Sequence, residues 1–422
     1  MLPPTVRGMR VPAAIKHFAY FLPFIASASC GLVSEPTVRL LTNRPELAAY
    51  IERYNSTQEK FRLEIAYVES PAQSVLSSEQ ADIVIGEWLA APQIMERFES
   101  TADIVKAGRI DPSLFYAGLL AMGSKDNRPV LIPVSFDIPA LVFMGKNAPS
   151  DLPSMLLPLE MLRTLSQSYN RTGKNGPLSM GFSPLWNRDF LSSSAALFGA
   201  KIRAGRGGFP AWDPDGLAET VGFLRDWLGR VNGGKDRDAA FADKNLVQPY
   251  YKLIETEKIL FSIASFTDFF ALPEEKRRSL DFRWPSREGV IPVMEDVLFA
   301  GVLRYAKNKN GARSFLEWFF SLQNQKSLLD VAQSLRIGVF GVTNGFSAFK
   351  SLNERELPQK YPILLGHIPS ENLLVFPEIL PDNWLEIRDE VFWTWLMRSA
   401  KGEETAPLSA VLEEWQTASR KK

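Results

Sequence analysis

Short apolar segments alternate with helix-like segments along most of the chain, and this alternation constrains the fold more than any other feature. Residues 38–41 and 61–68 are predicted strands, and between them the apolar residues of 47–54 recur at helical spacing. Residues 83–85 are continuously apolar, as in a strand buried on both faces, and 140–143 are similar. The order predicts an α/β protein with a mainly parallel sheet covered on both sides.

Length and composition narrow the class of protein. A chain of 422 residues is long enough for about two domains, each with its own core. The 48 basic and 48 acidic residues balance, so no excess of positive charge favours nucleic acid as a partner. If a leader containing His17 is removed, His367 is the remaining histidine, so we expect no zinc site, no histidine-based triad and no cofactor.

The first 29 residues have the pattern of a secretory signal. Arg7, Arg10 and Lys16 precede an apolar run at 18–28, and small residues follow it. The run is too short to span a bilayer stably, so we predict a signal peptide over residues 1–29. Either Met1 or Met9 fits as its start.

Cys30 is the single cysteine of the chain and directly follows the predicted signal. This position resembles the lipobox of bacterial lipoproteins, although Ser27 stands where that motif usually has leucine. The resemblance implies an exported protein, periplasmic or extracytoplasmic, that is anchored to the membrane through a lipid on Cys30. The alternative is a secreted protein with an incidental cysteine.

Several further segments resemble those of extracellular solute-binding proteins, in the same order. They are a loop acid leading into a buried strand (80–85), two segments similar to interdomain crossings (131–141 and 299–312), a helix (315–318) and C-terminal helices (391–414). Together they resemble the maltose-binding type of sugar-binding protein of ABC importers. Departures at 144–146, 262–266 and 341–345 leave the sugar open.

This resemblance implies a two-lobe periplasmic-binding-protein fold with a central ligand cleft and three crossings, expected near 137–141, 299–303 and 338–345. It also implies a monomeric, non-enzymatic component that captures a mono- or oligosaccharide and delivers it to an ABC permease. The predicted division is a first lobe (30–139 and 301–343) and a second lobe (140–300 and 344–422).

Loops at strand ends are the best positions for ligand residues, and sugar sites combine a few polar groups with aromatic walls. Several candidates also have a purely structural interpretation. Asn43, Arg44 and Asp268 could be helix caps and Asp137 a turn residue, and Trp186 and Trp393 could pack in a core. The candidates are Asn43, Arg44, Glu87, Trp88, Asp137, Trp186, Ser265, Asp268 and Trp393.

Other functions remain open from the sequence. Glu87 and Asp137 are also compatible with the acid pair of a glycan hydrolase. A lipid-anchored adhesin or scaffold without a small ligand is a third class. A polyol or a sugar phosphate, met by Arg44 or Arg188, is an alternative to a neutral sugar. For a binding protein, we expect Asp137→Ala and Glu87→Ala to weaken binding with little change in thermal midpoint.

Overall fold

The computed structural model describes residues 36–174, 176–334 and 338–419. The predicted signal peptide and Cys30 lie outside the described residues. None of the described helices is long and apolar enough to cross a membrane.

The strands are short and are distributed along the whole described chain. They are β1 (Thr37–Thr42), β2 (Arg62–Tyr67), β3 (Ile83–Glu87), β4 (Ser124–Lys125), β5 (Arg128–Pro129), β6 (Ile132–Phe136), β7 (Pro139–Met144), β8 (Leu156–Pro158), β9 (Arg171–Gly173), β10 (Gly176–Ser179), β11 (Arg203–Ala204), β12 (Pro210–Ala211), β13 (Phe261–Ser265), β14 (Leu280–Ser286), β15 (Ile291–Pro292), β16 (Leu298–Val302), β17 (Phe346–Ser347) and β18 (Leu374–Val375).

The helices lie mainly between strands and at the C-terminal end. They are α1 (Leu47–Thr57), α2 (Pro71–Leu76), α3 (Pro92–Met95), α4 (Ala117–Met122), α5 (Leu159–Tyr169), α6 (Arg188–Leu197), α7 (Pro214–Asp226), α8 (Lys235–Asn245), α9 (Tyr250–Glu255), α10 (Phe266–Ala271), α11 (Glu274–Arg277), α12 (Lys309–Phe319), α13 (Leu322–Ser334), α14 (Leu357–Lys360), α15 (Trp384–Glu386), α16 (Trp393–Ala400) and α17 (Leu408–Ser419). π-Helical turns occur at Trp227–Val231, Leu352–Glu356 and Ile387–Phe392.

Local sequence signals explain several of these elements. The apolar stripe predicted for 47–54 is the buried face of α1. Asp213 caps α7 by accepting hydrogen bonds from the amides of Asp215 and Gly216, at 3.1 and 3.0 Å. Gly233 and Gly234 follow the π-helical turn after α7 with φ of 78° and 97°, a conformation that glycine adopts without strain.

Two sheets organise the chain, and both are mixed. The large sheet has the order β17-β6-β16-β3-β1-β2; β1 is parallel to β2 and β3, whereas the other pairs are antiparallel. The small sheet has the order β13-β7-β14-β8, and only β14 and β8 are parallel. The prediction of a mainly parallel sheet is therefore wrong. Parallel neighbours need a covering crossover, whereas β6 leads directly into β7 of the other sheet and β16 is entered from β15, which pairs with β18.

The chain passes between the two sheets close to two of the predicted crossings. It leaves β6 and enters β7 across Asp137 and Ile138, as predicted. It returns from β14 of the small sheet through the short strand β15, which pairs with β18, and reaches β16 across 293–297. The predicted segment 299–303 instead forms most of a strand bonded to both β3 and β6. The third predicted crossing, 338–345, precedes β17, which still pairs with β6 in the large sheet.

These pairings bear on the predicted lobe boundaries. The boundary at 301 falls inside β16, and β17 belongs to the large sheet although the division assigned it to the second lobe. We propose that the first lobe resumes at about Leu298 and extends beyond Ser347. The division into lobes otherwise stays a prediction.

Alternate residues of β7 face two different hydrophobic cores. Ala140 and Val142 belong to the core that contains the large sheet, whereas Leu141 and Phe143 belong to a second core with Trp227. Because side chains alternate across a strand, a continuously apolar strand is what burial on both faces requires. The small sheet therefore lies between the two cores, directly after the first crossing.

Candidate functional site

Polar side chains from both sheets converge on a cavity of about 320 Å³. It receives residues from strand ends and from the two crossings, so amino acids distant in the chain meet there. We call it the acidic cavity after the carboxyl groups that line it together with Arg44: Glu87, Asp137, Asp189, Asp268 and Asp296. Five of the nine sequence-predicted residues therefore line one cavity: Arg44, Glu87, Asp137, Ser265 and Asp268.

Glu87 and Arg44 form an ion pair across neighbouring strands of the large sheet. Glu87 is the last residue of β3, and Arg44 follows β1. Burial raises the pKa of Glu87, while Arg44 and the amide of Asn43 oppose this effect. Asn43 therefore supports the pair from beside the cavity, which it does not line.

Asp137, on the first crossing, is held by three protein donors. Its Oδ1 accepts from the amide of Ile138 at 2.7 Å, and its Oδ2 accepts from the amide and hydroxyl of Thr267 at 3.1 and 2.5 Å. Burial nevertheless raises its pKa to about 7, and the nearby Asp296 adds to the increase. Asp137 thus joins the start of α10 to the end of β6, in addition to lining the cavity.

The second crossing supplies a residue that the sequence reasoning missed, Asp296. The amide of Met294 donates to the backbone oxygen of Asp137 at 3.0 Å, so the two crossings run side by side. Burial raises the pKa of Asp296; its own backbone amide, Arg44 and Arg388 oppose the shift, and Asp268 reinforces it. Its Oδ1 is buried and has no hydrogen-bond partner.

The N-terminal turns of helices α10 and α6 form the remaining wall of the acidic cavity. Ser265 caps α10 by accepting from the amide of Asp268 at 3.0 Å, so the capping role belongs to Ser265 and not to Asp268. Asp189 lies in the first turn of α6, which Asn187 caps. Burial raises the pKa of Asp189, and Asp296 adds to the effect.

A second cavity, of about 410 Å³, adjoins the first. The two share Asp189, Met294 and Asp296 as lining residues. We call it the apolar cavity because hydrophobic side chains form most of its wall, with Glu295 and Arg388 among its charged residues. The principal hydrophobic residues are Trp88, Ile202, Val293, Phe376, Leu380 and Leu385.

Trp88 lines the apolar cavity from a strained backbone position. It follows β3 directly and has φ of 61°, which is unusual for a residue with a bulky side chain. Such strain persists where surrounding structure enforces it, and it is concentrated at ligand sites. The guanidinium of Arg388, from the π-helical turn before α16, lies 5.2 Å from the Trp88 ring centroid.

Trp393 lies behind this wall. It is 6% exposed, and its indole donates to the hydroxyl of Ser192 at 3.0 Å. The guanidinium groups of Arg388 and Arg188 lie 4.3 and 5.2 Å from its ring centroid. Trp393 thus positions Arg388 and Ser192, which line the apolar cavity, and does not line the cavity itself.

Trp186 is not brought to either cavity. Its ring stacks on Phe241 with centroids 5.1 Å apart and an interplanar angle of 15°. It packs on the edge of the larger core. Trp186 therefore lies in a packed hydrophobic environment, which is the structural alternative to a ligand role that the sequence left open.

Besides Asp296, the sequence reasoning missed Asp189, Arg388 and Asn344. A signal existed for Asp296, since Glu295 and Asp296 directly precede an apolar strand, as Asp82 precedes β3. Asn344 lines the acidic cavity with φ of 50°. Nothing in the sequence spacing shows that α6 and the turn before α16 meet at this site.

No protein-family model and no curated protein sequence matches the chain. Solved structures do. A maltose-binding protein from Listeria monocytogenes in complex with maltose is 14% identical over 91% of this chain and 98% of that chain, with a TM-score of 0.65. The sugar-binding protein MalE of Xanthomonas citri is 11% identical (90% and 95% covered, TM-score 0.64). A cyclic maltosyl-maltose binding protein of Arthrobacter globiformis is 15% identical (90% and 96%, TM-score 0.62). The chain therefore has their fold.

Proposed function

We propose that this chain, which has the two-lobe fold of the maltose-type solute-binding proteins, captures a saccharide as the substrate-binding component of an ABC importer. The observation that carries the proposal is the acidic cavity, lined by residues from both sheets and both crossings, next to a tryptophan-lined apolar cavity. The Listeria, Arthrobacter and Xanthomonas structural relatives above are named for binding maltose, a cyclic maltosyl-maltose and sugar, respectively.

The two cavities match the two kinds of contact that a sugar makes. Carboxylates accept hydrogen bonds from hydroxyl groups, and an aromatic ring such as Trp88 packs against the C–H face of a pyranose. Cavity volumes of about 320 and 410 Å³ lie in the range typical of small-molecule sites, roughly 300–1,000 Å³.

The arrangement of the candidate acid pair favours binding over hydrolysis. A general acid or nucleophile needs a carboxyl group that is free to reach the substrate. Glu87 is engaged by Arg44, and both oxygens of Asp137 accept hydrogen bonds from the protein. These contacts suit fixed acceptors, so we propose that no chemistry occurs in this chain.

An anionic sugar is disfavoured by the same charges. Arg44, the base that lines the acidic cavity among the described residues, is already paired with Glu87. Arg188 lies against the ring of Trp393 and lines neither cavity. In the acidic cavity a phosphate would therefore meet carboxylates without a free cation from the described residues, since Arg388 and Lys201 line the apolar cavity instead.

Ligand would act by favouring closure of the lobes. Asp137 and Asp296 lie on the crossings, while Glu87 and Ser265 come from different sheets. A ligand that contacts both sides binds the closed form more tightly, and this difference in affinity drives closure. The closed monomer would then be the form that the permease recognises.

The test is to identify the ligand. The purified protein is denatured and any released small molecule is identified by mass spectrometry, followed by calorimetry of maltose, mannobiose and the identified compound. We expect a saccharide to bind with no turnover. Hydrolysis of the ligand, or the absence of saccharide binding with a folded protein, would contradict the proposal.

We also propose that the protein is exported and anchored through a lipid on Cys30, as the sequence pattern predicts. Cys30→Ser should move the protein from the membrane to the soluble fraction and abolish labelling with a fatty-acid probe. Ser29→Ala is the control, because it keeps a small residue before the cysteine. A wild-type protein that is soluble and unlabelled would overturn the anchoring proposal.

A further inference from the structure

The acidic cavity carries far more negative than positive charge. Five carboxyl groups line it, and Arg44 is the lining base in the part of the chain that the structure describes. Arg44 pairs with Glu87, and Arg388, from the neighbouring cavity, pairs with Glu295 at 3.3 Å. No ion pair within the described ranges involves Asp189, Asp268 or Asp296.

Burying these groups close together is unfavourable. Burial is the main cause of the raised pKa of Glu87, Asp137, Asp189 and Asp296, and the charge of Asp296 adds to the increase for the other three. A cation placed among them would oppose the increase in pKa by stabilising the ionised carboxylates, whereas a neutral hydroxyl group would leave their charge uncompensated.

One acceptor is left open. Both oxygens of Asp137 have protein donors, but Oδ1 of Asp296 is buried without a hydrogen-bond partner in a residue that lines both cavities. A buried acceptor of this kind costs free energy unless a donor reaches it. Asp296 therefore indicates where a ligand donor belongs, independently of the total charge.

A metal ion does not fit this environment. Among the described histidines, cysteines and acids, no three are arranged to hold one. An ammonium group differs, because it is a point charge with three donors and accepts a looser arrangement of carboxylates.

We propose that the acidic cavity binds the ammonium group of an amino sugar, with Asp296 as its principal acceptor and the apolar cavity holding a sugar ring beside Trp88. The inference rests on the proposed function for its saccharide part. The ammonium part rests on the charges and the open acceptor of the cavity. A linear polyamine carries the same group without the ring and is the alternative source that the experiment must separate.

The experiment is calorimetry of the purified protein at pH 7 with three disaccharides that share one linkage: cellobiose, di-N-acetylchitobiose and its fully deacetylated form. Spermidine is titrated in parallel. We expect the deacetylated sugar to bind at least tenfold more tightly than the other two, and its advantage to shrink at high salt. Binding should also release protons, seen as a dependence of the heat on the buffer, because a bound cation lowers the pKa of neighbouring carboxyls.

Asp296→Asn tests the assigned acceptor, with Asp330→Asn, an exposed acid outside both cavities, as the matched control. We expect Asp296→Asn to reduce the advantage of the amino sugar about tenfold and Asp330→Asn to preserve it. Equal affinity for amino and neutral sugars, or an unchanged ratio in Asp296→Asn, would overturn the inference while leaving the proposed function intact. Binding of spermidine without any saccharide would instead support the ammonium site and contradict the proposed function.

Discussion

The acidic cavity and the apolar cavity adjoin each other but are built in different ways. The acidic cavity is lined by carboxyls from strand ends, crossings and helix starts, and two of them, Glu87 and Asp137, are fixed by the protein donors Arg44 and Thr267. The apolar cavity consists of hydrophobic side chains and one strained tryptophan, Trp88, beside Arg388. The difference indicates that one cavity recognises polar groups and that the other recognises the shape of a ring. It also makes the two cavities separable by mutation and by pH.

The largest expected difference between the cavities is their response to pH. Asp137 has a pKa of about 7 in the folded protein and of about 3.9 when unfolded, so the native state binds the proton more tightly. Its contribution to stability is full below about pH 4 and is lost as the pH rises through 7, by up to about 4 kcal/mol. Denaturant unfolding of wild type and Asp137→Asn between pH 4.5 and 8 measures this.

Asp137→Asn should flatten the decline of the free energy of unfolding with pH, whereas Trp88→Phe in the apolar cavity should leave its slope unchanged. An equal slope in wild type and Asp137→Asn would show that Asp137 does not titrate in this range. The acidic cavity would then owe its pH response to other carboxyls.

The next effect concerns hydrogen bonding at the first crossing. Asp137→Ala leaves the amide of Ile138 and both donors of Thr267 without their acceptor, so we expect a loss of about 2–3 kcal/mol in the free energy of unfolding relative to Asp137→Asn. Chemical denaturation at pH 6 measures the difference. This revises the expectation from the sequence that Asp137→Ala leaves the thermal midpoint nearly unchanged. An unchanged midpoint in Asp137→Ala would restore the simpler view of Asp137 as a ligand residue alone.

Trp88→Ala should weaken saccharide binding about thirtyfold, roughly 2 kcal/mol, because it removes the aromatic face of the apolar cavity. Trp88→Gly is the matched variant, since glycine adopts φ of 61° without strain. We expect equal affinity in the two variants but a higher free energy of unfolding for Trp88→Gly, by about 1 kcal/mol. Calorimetry and denaturation separate these effects. Wild-type affinity in both variants would remove the ring-binding role from the apolar cavity.

The smallest expected effect is that of Trp393→Phe. The variant loses the hydrogen bond to Ser192, at a cost of about 1 kcal/mol in the free energy of unfolding. Because Trp393 lies behind Arg388, saccharide affinity should change less than about twofold. Trp186→Phe, outside both cavities, serves as the control for binding. A tenfold loss of affinity in Trp393→Phe alone would restore Trp393 as a ligand-contacting residue.

Parts of the site that come from short stretches of sequence were predictable. Glu87 follows a buried strand that its own composition identifies, and Asp137 lies where one predicted strand ends and the next begins. The predicted crossing at the apolar residues 299–303 does not include Asp296, and those residues form a strand of a sheet buried on both faces. Trp186 and Trp393 line neither cavity, and the sequence could not show this because an aromatic residue has the same local pattern in a core and in a ligand wall.

The sequence by itself determined the strand and helix pattern, the capping of α7 by Asp213, the buried face of α1 and the positions of several strand-end acids. These depend on interactions within a few residues, so local periodicity records them. Only the tertiary structure decided that Asp189 and Asp296 meet Glu87 and Asp137, that Arg388 lies beside Trp88, and that the sheets are mixed. Such contacts join residues tens to hundreds of positions apart, and strand pairing and burial set them after the local elements exist.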